Sequence, residues 1–296
     1  MHTETYALAD YFSAQIQNPD ATLKTYLLEA PARALAGKPR PLILICPGGG
    51  YLYISDRESE PAALRFASMG YHVAVLQYSV NTPHPVPVIE LAAAVLLAKR
   101  EASHWNVNPN QLILCGFSAG GHVCALYGAY WNQPLLCDLF NRPADDFQVA
   151  ASILGYPVTN YVEMEHAPET PEIADYYQRA QQALFGDVPL TYDLLEAVSP
   201  TLLAEATIPP TFLWGTTQDK LVPVLQSTGY IHALATHHVP FEAHIFESGP
   251  HGLVLADPST AVYEDQVSEE AAKWVDLVRA WLRKRFEPTW IKKEST

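Results

Sequence analysis

Residues 112–130 read LILCGFSAGGHVCALYGAY and place one serine, Ser118, among three glycines at the end of an apolar run. The run before Gly116 is typical of a buried β-strand, and the residues after Gly121 have a helical pattern. Glycine weakens both strands and helices, so a cluster at their junction indicates a backbone turn that other residues resist. The stretch therefore predicts a strand, a sharp turn that presents Ser118, and a helix.

Strand-length apolar runs alternate with longer helical patterns along most of the chain. The strands predicted from these runs cover residues 22–30, 41–47, 72–79, 111–116, 149–156, 210–216 and 241–247. The predicted helices cover residues 58–70, 86–105, 120–131, 224–238 and 268–286. The strand runs from residue 41 onward are mostly apolar on both faces, which is typical of strands covered by helices on each side. The alternation predicts an α/β fold with a doubly wound, mostly parallel sheet flanked by helices.

One stretch, residues 157–209, interrupts this alternation with prolines, acidic residues and tyrosines. It contains a helical pattern over residues 172–186 and precedes the predicted strand at 210–216. Ligands of open α/β sheets bind at the carboxyl ends of the strands, and an insertion at this point would lie over those ends. We therefore expect a single domain over residues 1–296 with a lid at about 157–209.

Composition limits the partners of the chain. Its formal net charge of −14 disfavours nucleic acids and anionic membranes, because both would repel it. The N-terminus lacks the basic and apolar regions of a signal peptide, and no apolar run is long enough for a membrane span. The four cysteines form no CxxC pair and no metal-like spacing. These features predict a cytoplasmic protein with reduced cysteines, without metal or cofactor, that binds a small molecule.

The pentapeptide GFSAG, residues 116–120, has the pattern G-x-S-x-G between a strand and a helix. In that setting the turn lifts the serine hydroxyl above the sheet as a nucleophile. The hydroxyl is a poor nucleophile until a base removes its proton during attack. We predict that Ser118 is the nucleophile; the alternative is a structural glycine turn with an incidental serine.

His251 is the predicted general base. The segment ESGPHGL, residues 247–253, places it in a Gly/Pro loop just after the last predicted strand. A loop at the carboxyl end of the sheet is where a base must stand to reach Ser118. The histidines in less suitable places, namely beside the serine, within a strand or at a helix end, are His122, His244, His237 and His238.

Asp219 is the predicted acid that holds the imidazole in the correct tautomer. The segment GTTQDKLVPV, residues 215–224, places it in the turn after the preceding strand. The chain order serine, aspartate, histidine is that of α/β-hydrolase triads. The rival aspartates are two in the expected lid, Asp187 and Asp193, and one that follows the histidine, Asp257.

The segment CPGGGY, residues 46–51, provides three glycines after the strand predicted at 41–47. Backbone N–H groups of such a loop can stabilise a developing oxyanion, together with the N–H group after the nucleophile. We predict Gly48, Gly49 and Ala119 as the oxyanion donors, with Gly50 as a further candidate. A phosphate-binding loop is the alternative, but neither G-K-[ST] nor G-x-G-x-x-G follows.

Tyrosines near the glycine loop and within the insertion are candidates for lining an acyl or sugar pocket. We predict Tyr51 and Tyr156 as substrate-binding residues, and packing is the alternative role for each. The other tyrosines in these regions are Tyr53, Tyr161, Tyr176 and Tyr177.

The motifs CPGGGY, GFSAGGH, GTTQDKLVPV and SGPHGL together resemble the α/β-hydrolase superfamily, in the esterase branch related to hormone-sensitive lipase. They are most similar to the small acetyl esterases grouped with bifunctional acetylxylan/feruloyl esterases. Pro47 replaces the histidine of H-G-G-G, and Phe117 replaces the aspartate of G-D-S-A-G-G, which favours the PGGGY subgroup. The resemblance implies a serine carboxylesterase that hydrolyses short-chain, often acetyl, esters of sugars or small alcohols. The resemblance is also consistent with a homo-oligomer, because many relatives are oligomeric.

Two other functions are consistent with the same residues. An arylformamidase or a small peptidase would use the same triad on an amide. A non-catalytic hydrolase fold that acts as a ligand receptor typically lacks a triad member, whereas Ser118, Asp219 and His251 are all present here. A fluorophosphonate probe and a panel of ester and amide substrates distinguish these functions.

Overall fold

The computed structural model describes residues 1–29, 38–164 and 170–286. Its frame is an eight-stranded sheet in the order β1-β2-β4-β3-β5-β6-β7-β8. The strands are β1 (His2–Ala7), β2 (Thr22–Leu27), β3 (Arg40–Cys46), β4 (His72–Gln77), β5 (Val107–Phe117), β6 (Ala151–Gly155), β7 (Thr211–Thr216) and β8 (Phe241–Phe246). All pairs from β4 through β3 to β8 are parallel, so the predicted doubly wound, mostly parallel sheet is confirmed.

Helices cover both faces of this sheet. They are α1 (Glu60–Ser68), α2 (Val86–Arg100), α3 (Ala102–Trp105), α4 (Ala119–Tyr130), α5 (Pro134–Phe140), α6 (Tyr161–Met164), α7 (Pro171–Phe185), α8 (Tyr192–Ala197), α9 (Val224–Thr236) and α10 (Trp274–Phe286). Helices α2, α4 and α9 pack on one face, and α1 and α10 pack on the other. None of the helices in the described ranges combines the length and apolarity needed to cross a membrane.

Strand β3 shows why its run is apolar on both faces. Leu42 and Leu44 belong to the core beneath α2 and α4, whereas Ile43 and Ile45 belong to the core beneath α1 and α10. All four side chains are fully buried. Successive strand residues point to opposite faces, so a strand between two helical layers needs an apolar residue at every position.

Strand β1 is missing from the predicted elements. Its sequence HTETYA is polar and largely exposed because it forms an outer edge of the sheet. It pairs antiparallel with β2, and β2 pairs antiparallel with β4. Edge strands often carry polar residues, since one side faces solvent, and the apolar signal used to predict the central strands is therefore absent here.

Several element boundaries also differ from the prediction. The helix expected over 86–105 is two helices, α2 and α3, because the backbone leaves the helical region at Glu101. Helix α5 was not predicted. The strand expected over 22–30 ends at Leu27, and residue 30 lies outside the described residues. The helix expected over 172–186 is α7.

The topology brings the candidate site residues to one edge of the sheet. The glycine loop at 47–50 follows β3, Ser118 follows β5, Asp219 follows β7 and His251 follows β8. Parallel strands have their carboxyl ends at the same edge, which is where ligands of open α/β sheets bind. Residues more than a hundred positions apart in the chain therefore meet here.

Candidate active site

Ser118 lies in a strained turn between β5 and α4, with a φ of 52° and a ψ of −120°. The flanking glycines are required by close backbone contact. A Cβ atom on Gly116 would lie 2.3 Å from the Gly120 carbonyl oxygen, and one on Gly120 would lie 2.0 Å from the Cys46 carbonyl oxygen. The Ser118 N–H donates to the Gly155 carbonyl at 3.0 Å, which joins the turn to β6. The G-x-S-x-G pattern thus lets β3, β5 and α4 meet beneath the serine.

Three side chains form a continuous hydrogen-bonded chain at this edge. Ser118 Oγ lies 2.8 Å from His251 Nε2, and Asp219 Oδ2 lies 2.7 Å from His251 Nδ1. The His251 side chain is 16% exposed and the Asp219 side chain is 2% exposed. The structure therefore brings together the three residues that were predicted as nucleophile, base and acid.

The Asp219 carboxylate is held by the backbone of its own turn. Its Oδ1 atom accepts hydrogen bonds from the N–H groups of Leu221 at 3.0 Å and Val222 at 2.8 Å. The Oδ2 atom is left for His251. An ionised carboxylate can only accept, so the His251 Nδ1 atom carries the proton and its Nε2 atom accepts from the Ser118 hydroxyl.

The electrostatic surroundings favour a protonated His251. Burial alone lowers the pKa of His251, but the charge and the hydrogen bond of Asp219 outweigh it, and Glu58 also raises this pKa. Arg57 acts in the opposite direction. The net result is a pKa of His251 above its ordinary value, because the nearby carboxylates stabilise the imidazolium. Such an environment suits a base that must hold a proton briefly during the reaction.

The Gly48 N–H is already used within the protein. It donates to the Glu58 carboxylate at 2.6 Å, and this hydrogen bond is buried. The prediction that Gly48 is an oxyanion donor is therefore corrected: its N–H points to a side chain that the sequence analysis did not consider.

The remaining candidate donors are Gly49, Gly50 and Ala119. Within the described ranges, the N–H groups of Gly49 and Gly50 donate to no other group of the chain. Ala119 is the first residue of α4, where a backbone N–H has no partner within the helix. Gly49 and Gly50 have φ values of 125° and 62°, which glycine adopts easily. Gly50, Ser118 and Ala119 line the same cavity.

Tyr51 and Tyr156 are not substrate-lining residues in this structure, which corrects their predicted role. Both are almost fully buried. The Tyr51 hydroxyl forms a short hydrogen bond with His122 Nδ1, and the Tyr156 hydroxyl donates to Glu58 at 2.8 Å. Their polar ends are thus satisfied by protein groups, and neither ring lies among the residues around the cavity.

A small, mainly apolar cavity of about 40 Å³ opens beside Ser118. One water molecule needs roughly 10–15 Å³ of cavity volume, so the space beside Ser118 is narrow. Its wall opposite Ser118 comes mainly from the predicted lid segment and from the loop after β7. These wall residues are Val158, Tyr161, Met164, Tyr176, Tyr177, Ala180, Gln181, Leu221 and Val222.

The rival histidines and aspartates have other contacts. His122 is buried and contacts the Tyr51 hydroxyl through Nδ1. Its Nε2 atom lies 2.7 Å from the Val198 carbonyl oxygen. His244 contacts Glu242 on its own strand. Asp257 pairs with Arg65. The two rival aspartates of the expected lid also lie away from His251. Asp187 follows α7 and accepts a hydrogen bond from Gln182, and Asp193 lies on α8.

Sequence reasoning missed Glu58, which lies in the loop between β3 and α1 and is 4% exposed. Glu58 is one of two glutamates in the segment DRESEP, residues 56–61, which belongs to no motif used above. The one available signal is its position, ten residues after Gly48. The described residues contain no group of three or more His, Cys, Asp or Glu side chains arranged to hold a metal ion.

Comparison with known proteins places the chain among hydrolases. A BD-FAE family profile matches residues 30–234. Endo-1,4-beta-xylanase B of Butyrivibrio fibrisolvens is 32% identical over 228 residues, which is 74% of this chain and 33% of that protein. The chain spans a third to a half of the length of the curated relatives that it matches.

Solved structures match over nearly the whole chain. The carboxylesterase Cest-2923 of Lactobacillus plantarum WCFS1 is 31% identical with a TM-score of 0.79, covering 96% of this chain and 98% of that one. An acetyl ester-xyloside bifunctional hydrolase of Caldicellulosiruptor lactoaceticus is 31% identical with a TM-score of 0.77, covering 95% and 96%. With the family match over more than half of its residues and this shared fold, the chain belongs to the BD-FAE family of α/β hydrolases.

Proposed function

We propose that the chain is a serine carboxylesterase that hydrolyses short-chain, acetyl-type esters of sugars or small alcohols. The observation that carries the proposal is the hydrogen-bonded chain from Asp219 through His251 to Ser118, beside a small apolar cavity. The names of the similar structures, a carboxylesterase and an acetyl ester-xyloside hydrolase, support the same chemistry.

The first half of the proposed reaction transfers the acyl group to the serine. Ser118 Oγ attacks the ester carbonyl while His251 Nε2 takes its proton, and Asp219 stabilises the imidazolium that forms. The carbonyl oxygen becomes an oxyanion within reach of the N–H groups of Gly49, Gly50 and Ala119. His251 then gives its proton to the alcohol oxygen as the C–O bond breaks, and the alcohol leaves.

The second half repeats these steps with water. His251 removes a proton from a water molecule, which attacks the acyl carbon bonded to Ser118 Oγ. The oxyanion forms at the same N–H groups, and His251 returns the proton to Ser118 as the carboxylic acid is released. Every proton transfer uses His251 Nε2, because Nδ1 stays bonded to Asp219.

We also propose that residues 157–209 act as a cap that limits the acyl group. Helices α6 and α7 supply the aromatic and apolar wall of the cavity opposite Ser118. Residues 165–169 of this segment lie outside the described residues. A narrow, mainly apolar cavity in this position favours an acetyl or butyryl chain over longer ones.

The test of this function uses the wild-type chain and Ser118→Ala with p-nitrophenyl acetate, N-formylkynurenine and an aminoacyl-p-nitroanilide. We expect the ester to be the preferred substrate, with labelling of Ser118 by a fluorophosphonate probe. Loss of the nucleophile should reduce kcat by about a million-fold in a variant that folds normally. Preference for either amide would overturn the esterase proposal, and a tenth of wild-type activity in Ser118→Ala would exclude Ser118 as the nucleophile.

A further inference from the structure

Glu58 is a buried carboxyl group that the proposed reaction does not use. It lies between the glycine loop after β3 and the loop that carries His251. Both of its oxygen atoms accept hydrogen bonds: Oε2 from the Gly48 N–H at 2.6 Å and Oε1 from the Tyr156 hydroxyl at 2.8 Å. Burial raises the pKa of Glu58, while the hydrogen bonds from Tyr156 and from the Gly48 N–H, together with the charge of His251, act to lower it. These two donated hydrogen bonds stabilise the ionised carboxylate, although the pKa of Glu58 stays above its ordinary value.

Tyr156 extends this contact to the histidine loop. Its hydroxyl oxygen accepts a hydrogen bond from the Val254 N–H at 3.1 Å. Its ring packs edge-to-face against the His251 imidazole, with ring centroids 5.0 Å apart. The glycine loop and the histidine loop are therefore joined by a buried route that runs Gly48, Glu58, Tyr156, Val254.

Arg57, the neighbour of Glu58, makes a second connection. Its guanidinium donates to the Gly252 carbonyl at 2.9 Å and to the Thr260 carbonyl. Two consecutive residues of one loop thus hold both sides of the site. The surrounding charges matter as well, because a buried carboxylate interacts strongly with an imidazolium nearby.

We propose that Glu58 is a positioning residue of the active site. It holds the glycine loop so that the Gly49 and Gly50 N–H groups face the oxyanion, and through Tyr156 it orients the His251 ring. Its negative charge also stabilises the imidazolium form of His251. The inference rests on the proposed esterase function of the same site.

The first test is Glu58→Gln, which keeps the size of the side chain. An amide has a single acceptor oxygen, so either the Gly48 N–H or the Tyr156 O–H loses its acceptor. We expect kcat on p-nitrophenyl acetate to fall about 10- to 100-fold, as small misplacements at an active site do, with KM changed less than about threefold. Tyr156→Phe, which keeps the ring, should lower kcat in the same direction.

The second readout is the pH profile. The charged or titratable groups that face His251 are Asp219, Glu58, Arg57 and Tyr156. Because Glu58 raises the pKa of His251, its replacement by glutamine lowers that pKa. The acidic limb of kcat/KM should therefore move to lower pH in Glu58→Gln. A residue that only stabilises the fold would not move this limb.

Glu90→Gln is the matched control. Glu90 is 1% exposed and accepts hydrogen bonds from the N–H and the hydroxyl of Ser79, but it lies on α2, away from the cavity. We expect this variant to lose stability and to keep both kcat and the acidic limb of the wild type. It thus measures the effect of neutralising a buried, hydrogen-bonded glutamate elsewhere in the fold.

Three results would overturn the inference. The first is a folded Glu58→Gln variant with wild-type kcat and an unmoved acidic limb. The second is an equal loss of kcat in Glu58→Gln and in Glu90→Gln. The third applies if Glu58→Gln does not fold, and it is full activity of Tyr156→Phe. Failure of the proposed function itself is separate: it appears in the wild type, as an absence of ester hydrolysis and of fluorophosphonate labelling.

Discussion

The backbone of Ser118 lies in a region of φ/ψ space that most residues avoid, with a φ of 52° and a ψ of −120°. A residue held there costs on the order of 1–3 kcal/mol and persists only where surrounding contacts determine it. Those contacts are the Ser118 N–H bond to Gly155 and the close packing of Gly116 against Gly120. The strain places the hydroxyl at the end of the sheet, 2.8 Å from the imidazole.

Asp219→Asn tests the proposed acid of the triad, because it changes the contact between the Asp219 carboxylate and His251 Nδ1. The asparagine amide can turn its NH₂ group toward His251 and favour the wrong tautomer, in which Nε2 carries the proton. We expect a large fall in kcat, of up to about 10⁴-fold, which is the loss caused by the equivalent change in a serine protease. Turnover at one alkaline pH, with folding checked by circular dichroism, measures this effect.

The controls for this prediction are Asp187→Asn and Asp193→Asn, which lie in the 157–209 segment. The Asp187 carboxylate accepts a hydrogen bond from the Gln182 side chain at 2.6 Å, and its contact is therefore with α7 and not with His251. Both variants should stay within about threefold of the wild type, because surface changes outside special contacts have small effects. A near-normal Asp219→Asn together with an inactive control would mean that the acid has been misassigned.

The pH dependence follows from the raised pKa of His251. Only neutral His251 can take the Ser118 proton, and its pKa lies above the ordinary value of 6.5. Activity should therefore be full at alkaline pH and fall as the pH drops through this raised pKa. A profile of kcat/KM for p-nitrophenyl acetate should show an acidic limb with a midpoint above 6.5; a midpoint below that value would contradict the assigned electrostatics.

At the scale of elements, helix α7 of the 157–209 segment packs against the glycine loop that follows β3. Its Tyr176 ring lies so close to the loop that a Cβ atom on Gly50 would be 2.2 Å from the tyrosine hydroxyl oxygen. The Thr170 side chain accepts from the Ile173 N–H and caps the start of the helix. The Tyr177 hydroxyl donates to the Leu221 carbonyl in the loop after β7. The wall opposite Ser118 is therefore attached to two of the loops that form the site.

Tyr176→Ala tests whether this wall sets the acyl length. In the wild type we expect kcat/KM to be highest for acetyl to butyryl p-nitrophenyl esters and to collapse by octanoyl. Removing the ring enlarges the cavity, so the ratio of octanoyl to acetyl kcat/KM should rise about tenfold or more. Tyr192→Ala, an exposed position on α8, is the control and should leave the ratio unchanged. A wild-type maximum at eight carbons or longer would exclude the short-chain proposal.

At the scale of the whole molecule, Trp274 joins helix α10 to the candidate site. The Trp274 ring stacks on Trp214 of β7 with centroids 4.9 Å apart, and it packs edge-to-face against Phe117 of β5. Its Nε1–H group donates to the Val254 carbonyl at 2.8 Å. Helix α10 therefore stabilises the central strands and the histidine loop together.

Trp274→Ala should lower the free energy of unfolding by about 3–5 kcal/mol, the usual cost of removing a fully buried tryptophan. Denaturation in urea followed by circular dichroism measures this change. Leu225→Ala, at a side chain that is 65% exposed, is the control and should change stability by less than about 0.5 kcal/mol. Equal stabilities of the two variants would mean that α10 contributes little to the fold.

Local sequence determined the parts of this protein that depend on short-range spacing. The G-x-S-x-G turn, the apolar runs of the central strands and the turns that carry Asp219 and His251 each combine residue types that few conformations accept. The chain order of the triad then followed from the order of the strands, because parallel strands bring their carboxyl ends to one edge. That is why the sequence alone predicts that Ser118, Asp219 and His251 lie close together, and the structure places their side chains within hydrogen-bond distance.

Only the tertiary structure decided which groups are left available at that edge. The sequence does not distinguish Gly48 from Gly49, but in the structure the Gly48 N–H donates to the Glu58 carboxylate. The sequence also predicts Tyr51 and Tyr156 as pocket residues, but their hydroxyls are hydrogen-bonded to the buried side chains of His122 and Glu58. Tyr156 and Glu58 are 98 positions apart, and hydrogen bonds over such separations leave no periodic signal in a single sequence. The pairing of buried polar groups is a property of the packed molecule, since each group must find its partner among whatever the fold brings near.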